Sequence, residues 1–177
     1  MRGIRYLSAL WIVLVLTGCS RTSSSGDTGD VPVDLPALLN TIYRGNKSRT
    51  VTKTLHYSGQ SPETQTIDSA DFHQDLKFLE SFALNDRSFA DQFQQTGTHP
   101  ARYQAKSKKP YVRSVTIWPG GTEIPDSVHI TYAMHQITGT RHMELILKPA
   151  GSFRLRVRED NRIQKNLDFE VKEVWTP

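Results

Sequence analysis

From about residue 91 onward the sequence predicts one strand after another, and apolar and polar positions alternate along the chain with a period of two. The apolar members of the most regular segments are Val128, Ile130, Tyr132 and Met134; Met143, Leu145 and Leu147; Phe153, Leu155 and Val157; and Leu167, Phe169 and Val171. This period is typical of strands that bury one face and expose the other to water. The C-terminal half is therefore predicted to be an antiparallel β-meander.

Two earlier segments have helical spacing instead, with apolar residues at every third or fourth position. They are 35–44, with Leu35, Leu38, Leu39 and Ile42, and 69–84, with Phe72, Leu76, Leu79 and Ala83. Asp34 can cap the first helix, and Asp68 or Ser69 the second. Gly45 and Asn85 are the residues predicted to end them.

Between the helices, the segments 49–58, "RTVTKTLHYS", and 64–67 predict two strands joined by a turn in "SGQSPE". Helices followed by a long meander predict an α+β fold. We expect two short amphipathic helices to pack on a curved antiparallel β-meander. The pattern indicates one core, so residues 31–177 are predicted to form a single domain.

The meander also brings two histidines together. A two-residue turn at Thr138-Gly139 pairs apolar with apolar residues across the hairpin: Met134 with Met143, Tyr132 with Leu145, and Ile130 with Leu147. On the other face His135 then directly opposes His142, with Glu144 one step away. Two opposed imidazoles, with Cβ atoms roughly 5 Å apart, could share a metal ion. The alternative, polar residues on a wet face, is favoured because no HExxH or CxxC motif is present.

A basic stripe lies on a later strand. Arg154, Arg156 and Arg158 share one face of this strand. Asp168 and Glu170 alternate in the same way on the next strand, so they can lie on the same face as the arginines. One interpretation is a cross-strand ladder of ion pairs, each worth a few tenths of a kcal/mol. The other is a face that binds an anion.

A second basic segment, 102–113, reads "RYQAKSKKPYVR". In a cytosolic protein its cations and tyrosines would suggest RNA. In an exported protein, anionic lipid head groups or lipopolysaccharide phosphates are the corresponding ligands. A solvated loop beside a strand is the simpler interpretation.

The N-terminal segment indicates export. Met1–Tyr6 contains two arginines and no acid, and Leu7–Leu16 is ten residues, nearly all apolar. A spanning helix needs about 20 such residues, so residues 1–18 are predicted to be a signal peptide. The chain has 177 residues and a formal net charge of +4. Arg2 and Arg5 account for two of these charges, so we expect no nucleic-acid partner.

The leader ends in Leu16-Thr17-Gly18-Cys19. These four residues resemble the lipobox of bacterial lipoproteins. The resemblance implies a diacylglycerol group on the Cys19 thiol, cleavage before Cys19, and usually acylation of the new amine. Cys19 is the only cysteine, which excludes a disulfide within the chain. A catalytic thiol would require a structured, electropositive pocket.

The residues after the lipobox are predicted to link a membrane anchor to the domain. Residues 19–30, "CSRTSSSGDTGD", are rich in Ser, Gly and Asp and predict a flexible tether. In the lipoprotein family, Asp after the cysteine commonly means retention at the inner membrane. The resemblance therefore implies that Ser20 directs this chain to the outer membrane, facing the periplasm.

The folded part is similar to a group of small uncharacterised Gram-negative envelope lipoproteins, over most of 34–177. The shared segments are a "DLPALL"-like helix, a "TVTKT" strand, an "ETQTI"-like strand, a helix of "DFHQDLKFLESF" character and a "VRSVTI" strand. These motifs are structural and bring no activity with them. We expect a non-enzymatic binding module for an apolar ligand or protein partner, without a cofactor. The alternatives are a scaffolding subunit of an envelope complex and, less favoured, a metal-dependent hydrolase.

Overall fold

The structure is a computed structural model that describes residues 32–84, 86–163 and 165–176. The predicted signal peptide, the tether with Cys19, and Asn85 lie outside these residues. The helices are α1 (Leu35–Asn46), α2 (Ser69–Leu79), a 3-10 turn (Glu80–Phe82) and α3 (Asp86–Gln92). The strands are β1 (Val51–Tyr57), β2 (Glu63–Ile67), β3 (Phe93–Thr98), β4 (Ala101–Ala105), β5 (Val112–Trp118), β6 (Ser127–Gln136), β7 (Gly139–Lys148), β8 (Ser152–Asn161) and β9 (Leu167–Trp175).

Short aspartate side chains begin the two longer helices, as the sequence predicts. The Asp34 carboxylate accepts a hydrogen bond of 2.9 Å from the backbone amide of Ala37. Asp68 accepts from the backbone amides of Ala70 and Asp71 at the start of α2. Each of these bonds satisfies an amide that has no partner within the helix.

The helix ends differ slightly from the prediction. Gly45 does not stop α1, because the helix continues to Asn46, whose side-chain amide donates to the Ile42 carbonyl. The α-helical part of the second helix stops at Leu79, and the 3-10 turn carries the chain on to Phe82.

Within the described residues, all nine strands join one antiparallel sheet in the order β2-β1-β9-β8-β7-β6-β5-β4-β3. The predicted α+β meander is confirmed, and a third short helix, α3, adds to it. The early hairpin of β1 and β2 does not stand apart, because β1 pairs with β9 at the far end of the chain. The meander therefore becomes a wide open sheet whose edge strands are β2 and β3.

The core fills the space between the sheet and the two longer helices. From α1 and α2, the buried residues include Leu35, Leu38, Leu39, Ile42, Phe72, Leu76 and Leu79; from the sheet, they include Val115, Val128, Ile130, Leu145, Leu147, Phe153, Leu155, Val157 and Trp175. Alternate residues of β8, including the three arginines, point to the opposite face and are exposed. We call this second side of the sheet the open face.

The expected hairpin register between β6 and β7 is wrong by two residues. The turn consists of Ile137-Thr138, and Gln136 pairs with Gly139. Ile130 therefore faces Leu145, where the sequence had predicted Tyr132 opposite Leu145. Because a shift of two positions leaves every side chain on its own face, the apolar pattern could not distinguish the two registers.

Gly139 permits a close approach at this end of the hairpin. A Cβ atom on Gly139 would lie 2.0 Å from the backbone oxygen of Asp160 on β8. We expect Gly139→Ala to destabilise the protein by about 1–3 kcal/mol, because backbone must move to accept the methyl group. Urea unfolding measures the change, and Gly121→Ala is the control, since a Cβ there meets nothing within 4 Å. Equal effects of the two substitutions would contradict the expectation.

Candidate functional site

A large groove lies on the open face of the sheet. It encloses about 740 Å³ and spans the sheet from β4 to β8. We call it the open-face groove. Its lining residues are Gln104, Lys108, Arg113, Thr131, Tyr132, Ala133, His135, His142, Met143, Glu144, Arg156, Arg158 and Asp160. Four of these side chains are permanent cations and two are carboxylates, so the groove has a cationic excess.

Two arginines of the predicted basic stripe lie in this groove. Arg156 donates to both oxygens of Asp168, from Nε at 3.3 Å and from Nη2 at 3.2 Å. Arg158 is farther from the same carboxylate, with Nε 3.7 Å from Oδ2. The hydrogen bond from Arg156 lowers the pKa of Asp168 and raises the pKa of Arg156. Asp168 thus remains ionised and engages Arg156 more closely than Arg158.

The cross-strand neighbours of the two arginines also differ. Arg156 lies between Glu144 on β7 and Glu170 on β9. Arg158 lies between His142 on β7 and Asp168 on β9, and its side chain is 54% exposed. Arg158 therefore has only one acid directly opposite, which makes it the better placed of the two for an additional anion.

The third member of the stripe lies elsewhere. Arg154 is not part of the groove lining, and it faces Ile146 on one side and Lys172 on the other. The predicted ladder of ion pairs therefore forms at the Asp168 end of the stripe and not at Arg154.

The opposite wall of the groove comes from the second basic segment. Arg113 lies where the β5 register shifts, and its Nη2 donates to the backbone oxygen of Ala133 at 3.2 Å. Its Nη1 donates to the backbone oxygen of Ser107 at 3.4 Å, which ties the preceding loop to the sheet. Lys108 in that loop is exposed and lines the same groove. Two basic segments that the sequence presents separately thus meet across one concavity.

The expected pairing of His135 with His142 is wrong, because of the shifted register. His135 lies opposite Thr140, and its Nδ1 is 3.1 Å from the Thr140 hydroxyl. His142 lies opposite Ala133, two positions from the predicted partner. Both histidines line the groove, but they do not form a pair. In the described parts of the chain, no group of three or more His, Cys, Asp or Glu residues is arranged to hold a metal ion.

Glu144 contacts a different histidine, His129, and neither His135 nor His142. His129 Nε2 lies 2.9 Å from Glu144 Oε1 across the β6–β7 pair. His129 and Glu144 lie on the same face of the sheet, so the alternation of residues along the two strands could have predicted that they share a face. The correct turn would have brought them near each other, because it places Glu144 opposite Thr131, the next residue on that face.

A second polar cluster lies on the covered side of the sheet. Glu173 on β9 is fully buried, and neither carboxylate oxygen has a hydrogen-bond partner among the described residues. Lys53 Nζ on β1 lies 3.8 Å from Glu173 and 2.6 Å from Asp75 of α2. Burial, and then the neighbouring Asp75, raise the pKa of Glu173 to about 9, against the opposing effect of Lys53. This carboxyl is therefore protonated at neutral pH.

The buried cluster is a poor site for a ligand. Glu173 has no exposed surface, and the partly exposed Lys53 and Asp75 already pair with each other. In contrast, the cations of the open-face groove face solvent. The groove is therefore the candidate site, and we treat Glu173 as a determinant of stability.

No family model, no curated protein and no solved structure matches this chain. Among the residues that the structure covers, none of the helices has the length and apolar character needed to cross a membrane.

Proposed function

We propose that this protein is a lipid-anchored, non-enzymatic binding module of the cell envelope that holds an anionic ligand or partner in the open-face groove. The observation that carries the proposal is the meeting of Lys108, Arg113, Arg156 and Arg158 around one concavity of about 740 Å³. A concave site of this size with a few convergent polar groups is typical of ligand binding. Guanidinium groups favour carboxylates and phosphates in particular.

The charges of the groove favour an acidic group bound near Arg158. Arg113 is held by two backbone carbonyls and Arg156 by Asp168, so both present their remaining donors in fixed positions. Arg158 adds a more weakly engaged guanidinium. Glu144 and Asp160 lie in the same groove and confine the positive region. An anion is therefore expected at the Arg158 end, where the more weakly engaged Arg158 binds it together with the donors of Arg113 and Arg156 that are already ordered.

An apolar ligand would require a different place. A smaller groove of about 450 Å³ lies between the end of α1 and two loops, and its lining includes Leu38, Ile42, Ile124, Pro125 and Pro149. Because the larger groove is lined by charges, our proposal favours an anion over the apolar ligand expected from the sequence.

The proposed location of the protein in the cell rests on the N-terminal leader sequence. We propose that Cys19 carries the acyl chains and that the domain faces the periplasm from the outer membrane. One acyl chain binds a bilayer only marginally, whereas two or three hold a protein there stably. A permanently attached binding module samples ligands that are themselves confined to the envelope.

Native mass spectrometry of the full-length protein, extracted from the membranes of its host, tests this proposal. We expect a chain that begins at acylated Cys19 and retains a non-covalent anionic species. Arg158→Glu should lower the occupancy of that species about ten-fold or more, because a charge-assisted hydrogen bond becomes a repulsion. Arg154→Glu is the matched control, since it reverses a charge on the same strand and face outside the groove. Wild-type protein without a bound species, or equal loss in both variants, would refute the groove as the site.

A scaffolding subunit is the second candidate, favoured by the two open edges of the sheet. The edge strand β2 exposes four consecutive residues, Glu63–Thr66. An exposed edge offers unpaired amides and carbonyls to a strand of another protein. If a protein partner is retained equally by the wild type and both arginine variants, this second function is favoured.

A further inference from the structure

One end of the sheet carries two apolar loop tips. Ile137, in the β6–β7 turn, is 97% exposed, and Ile163, in the β8–β9 loop, is 79% exposed. They are the most exposed large apolar side chains among the described residues. Single exposed apolar residues are common on protein surfaces, whereas exposed apolar side chains that lie next to each other mark sites of contact with a protein or a membrane.

Backbone contacts hold the two tips side by side. The Arg162 amide donates to the Thr138 carbonyl at 2.8 Å, which links the β8–β9 loop to the β6–β7 turn. The Asn161 amide donates to the Asn166 side chain at 2.9 Å and closes the base of the same loop. The two isoleucines therefore project from one joined structure and not from two independent loops.

Charged side chains surround the two apolar tips. Arg162 and Lys165 flank Ile163 and are exposed, and Asp160 is the exposed acid near them. Arg141 and Glu159, at the base of the tips, neutralise each other at 2.6 Å. The rim is therefore weakly cationic, and it surrounds side chains that can enter an apolar medium.

We propose that this end of the sheet, defined by Ile137 and Ile163, docks on the surface of an anionic lipid bilayer. Isoleucines on projecting tips can reach below the head groups, while Arg162 and Lys165 stay at the phosphate level. A flat protein partner would instead favour a broad apolar patch. The proposal rests on the lipid anchor at Cys19 that we proposed above.

The chain between anchor and domain allows this docking. Twelve residues, Ser20–Val31, separate the acylated Cys19 from the first described residue of the domain. Fully extended, they would span at most roughly 45 Å. The domain is thus confined near the bilayer, where even a weak second contact is populated through the high effective concentration. Docking would fix which side of the domain faces the lipid and would place the Arg158 end of the groove beside the head groups.

Fluorescence quenching on vesicles tests the orientation. The native thiol of Cys19 is blocked by its lipid, so Ile137→Cys introduces the single labelling site of the full-length protein. We propose a polarity-sensitive nitrobenzoxadiazole label at this position, on vesicles of phosphatidylethanolamine with a minor fraction of phosphatidylglycerol. Lipids with a nitroxide near the head group should reduce its emission to about half. Ile124→Cys is the matched control, because Ile124 is an exposed isoleucine in the loop at the other end of β6.

The outcomes separate the anchor from the tips. Flotation with vesicles and strong quenching at position 137, with little at position 124, supports the docking end. Flotation with equal or no quenching at the two positions overturns the docking end and leaves the anchor intact. A chain that does not float overturns both. If the emission changes with protein concentration in the absence of lipid, the tips contact other copies of the protein. That result would contradict the proposal.

Discussion

Replacing Glu173 with glutamine is expected to stabilise the protein in mildly alkaline solution and to leave its stability unchanged below pH 4.5. Burial raises the pKa of Glu173 to about 9 in the folded protein, from 4.5 as its ordinary value. Between these two values the unfolded chain releases the proton and the folded chain keeps it. The folded state therefore binds more protons, and its stability falls as the pH rises through this range.

The size of the effect follows from the same linkage. One unit of pKa difference corresponds to 1.36 kcal/mol, so the wild type should lose several kcal/mol, at most about 6, by the alkaline end of the range. The groups that face Glu173 are Lys53 from β1 and Asp75 and Asp71 from α2. Glutamine keeps the shape and has an amide that can donate to Asp75, but it has no proton to lose.

Thermal unfolding at several pH values measures this prediction. Wild-type protein should unfold at progressively lower temperatures between pH 4.5 and pH 9, and Glu173→Gln should show a much flatter profile. Glu170→Gln is the control, since Glu170 lies on the same strand but on the open face, beside Arg156. Parallel pH profiles for the wild type and Glu173→Gln would show that this carboxyl is not the titrating group.

Phe72→Ala is expected to cost about 3–5 kcal/mol, which is a large part of the 5–15 kcal/mol that stabilises a typical domain. Phe72 of α2 has no exposed surface, and its ring centroid lies 5.4 Å from that of the buried Trp175 on β9. It also lies against Tyr43 of α1. The substitution therefore leaves a cavity where both helices meet the sheet.

Urea unfolding at constant pH gives the change, with Phe78→Ala as the matched control. Phe78 lies on the same helix but is 56% exposed, so its removal should change stability by about 0.5 kcal/mol or less. Similar losses for both phenylalanines would mean that α2 does not dock through Phe72.

The sequence pattern predicted the helices and strands correctly where the information needed lies within one short segment of the chain. Asp34 and Asp68 cap the helices as their positions indicate. The alternating apolar residues predicted along β6, β7 and β8, such as Ile130, Leu145 and Leu155, lie on the covered face. These features depend on helix periodicity, strand alternation and short-range hydrogen bonds, which involve only neighbouring residues.

Glu173 shows a signal that was present but overlooked. It follows Leu167, Phe169 and Val171 at every second position along β9, and the next residue in this series is Trp175. A carboxyl in that series has to be buried, because alternate residues of a strand share one face. The burial was therefore predictable, but the contact with Lys53 and Asp75 required knowing that β1 and α2 lie over β9.

The sequence by itself determined the periodic elements, their caps and the face on which each strand residue lies, because these follow from local geometry. It also contains the Leu16–Cys19 segment that resembles a lipobox, and the lipid anchor that this resemblance implies stays a prediction. Only the tertiary structure decided the β6–β7 register, the insertion of β9 between β1 and β8, and the meeting of Arg113 with Arg158 in one groove. Alternation is insensitive to a shift of two residues, and pairing between distant strands depends on which edges the rest of the fold leaves open.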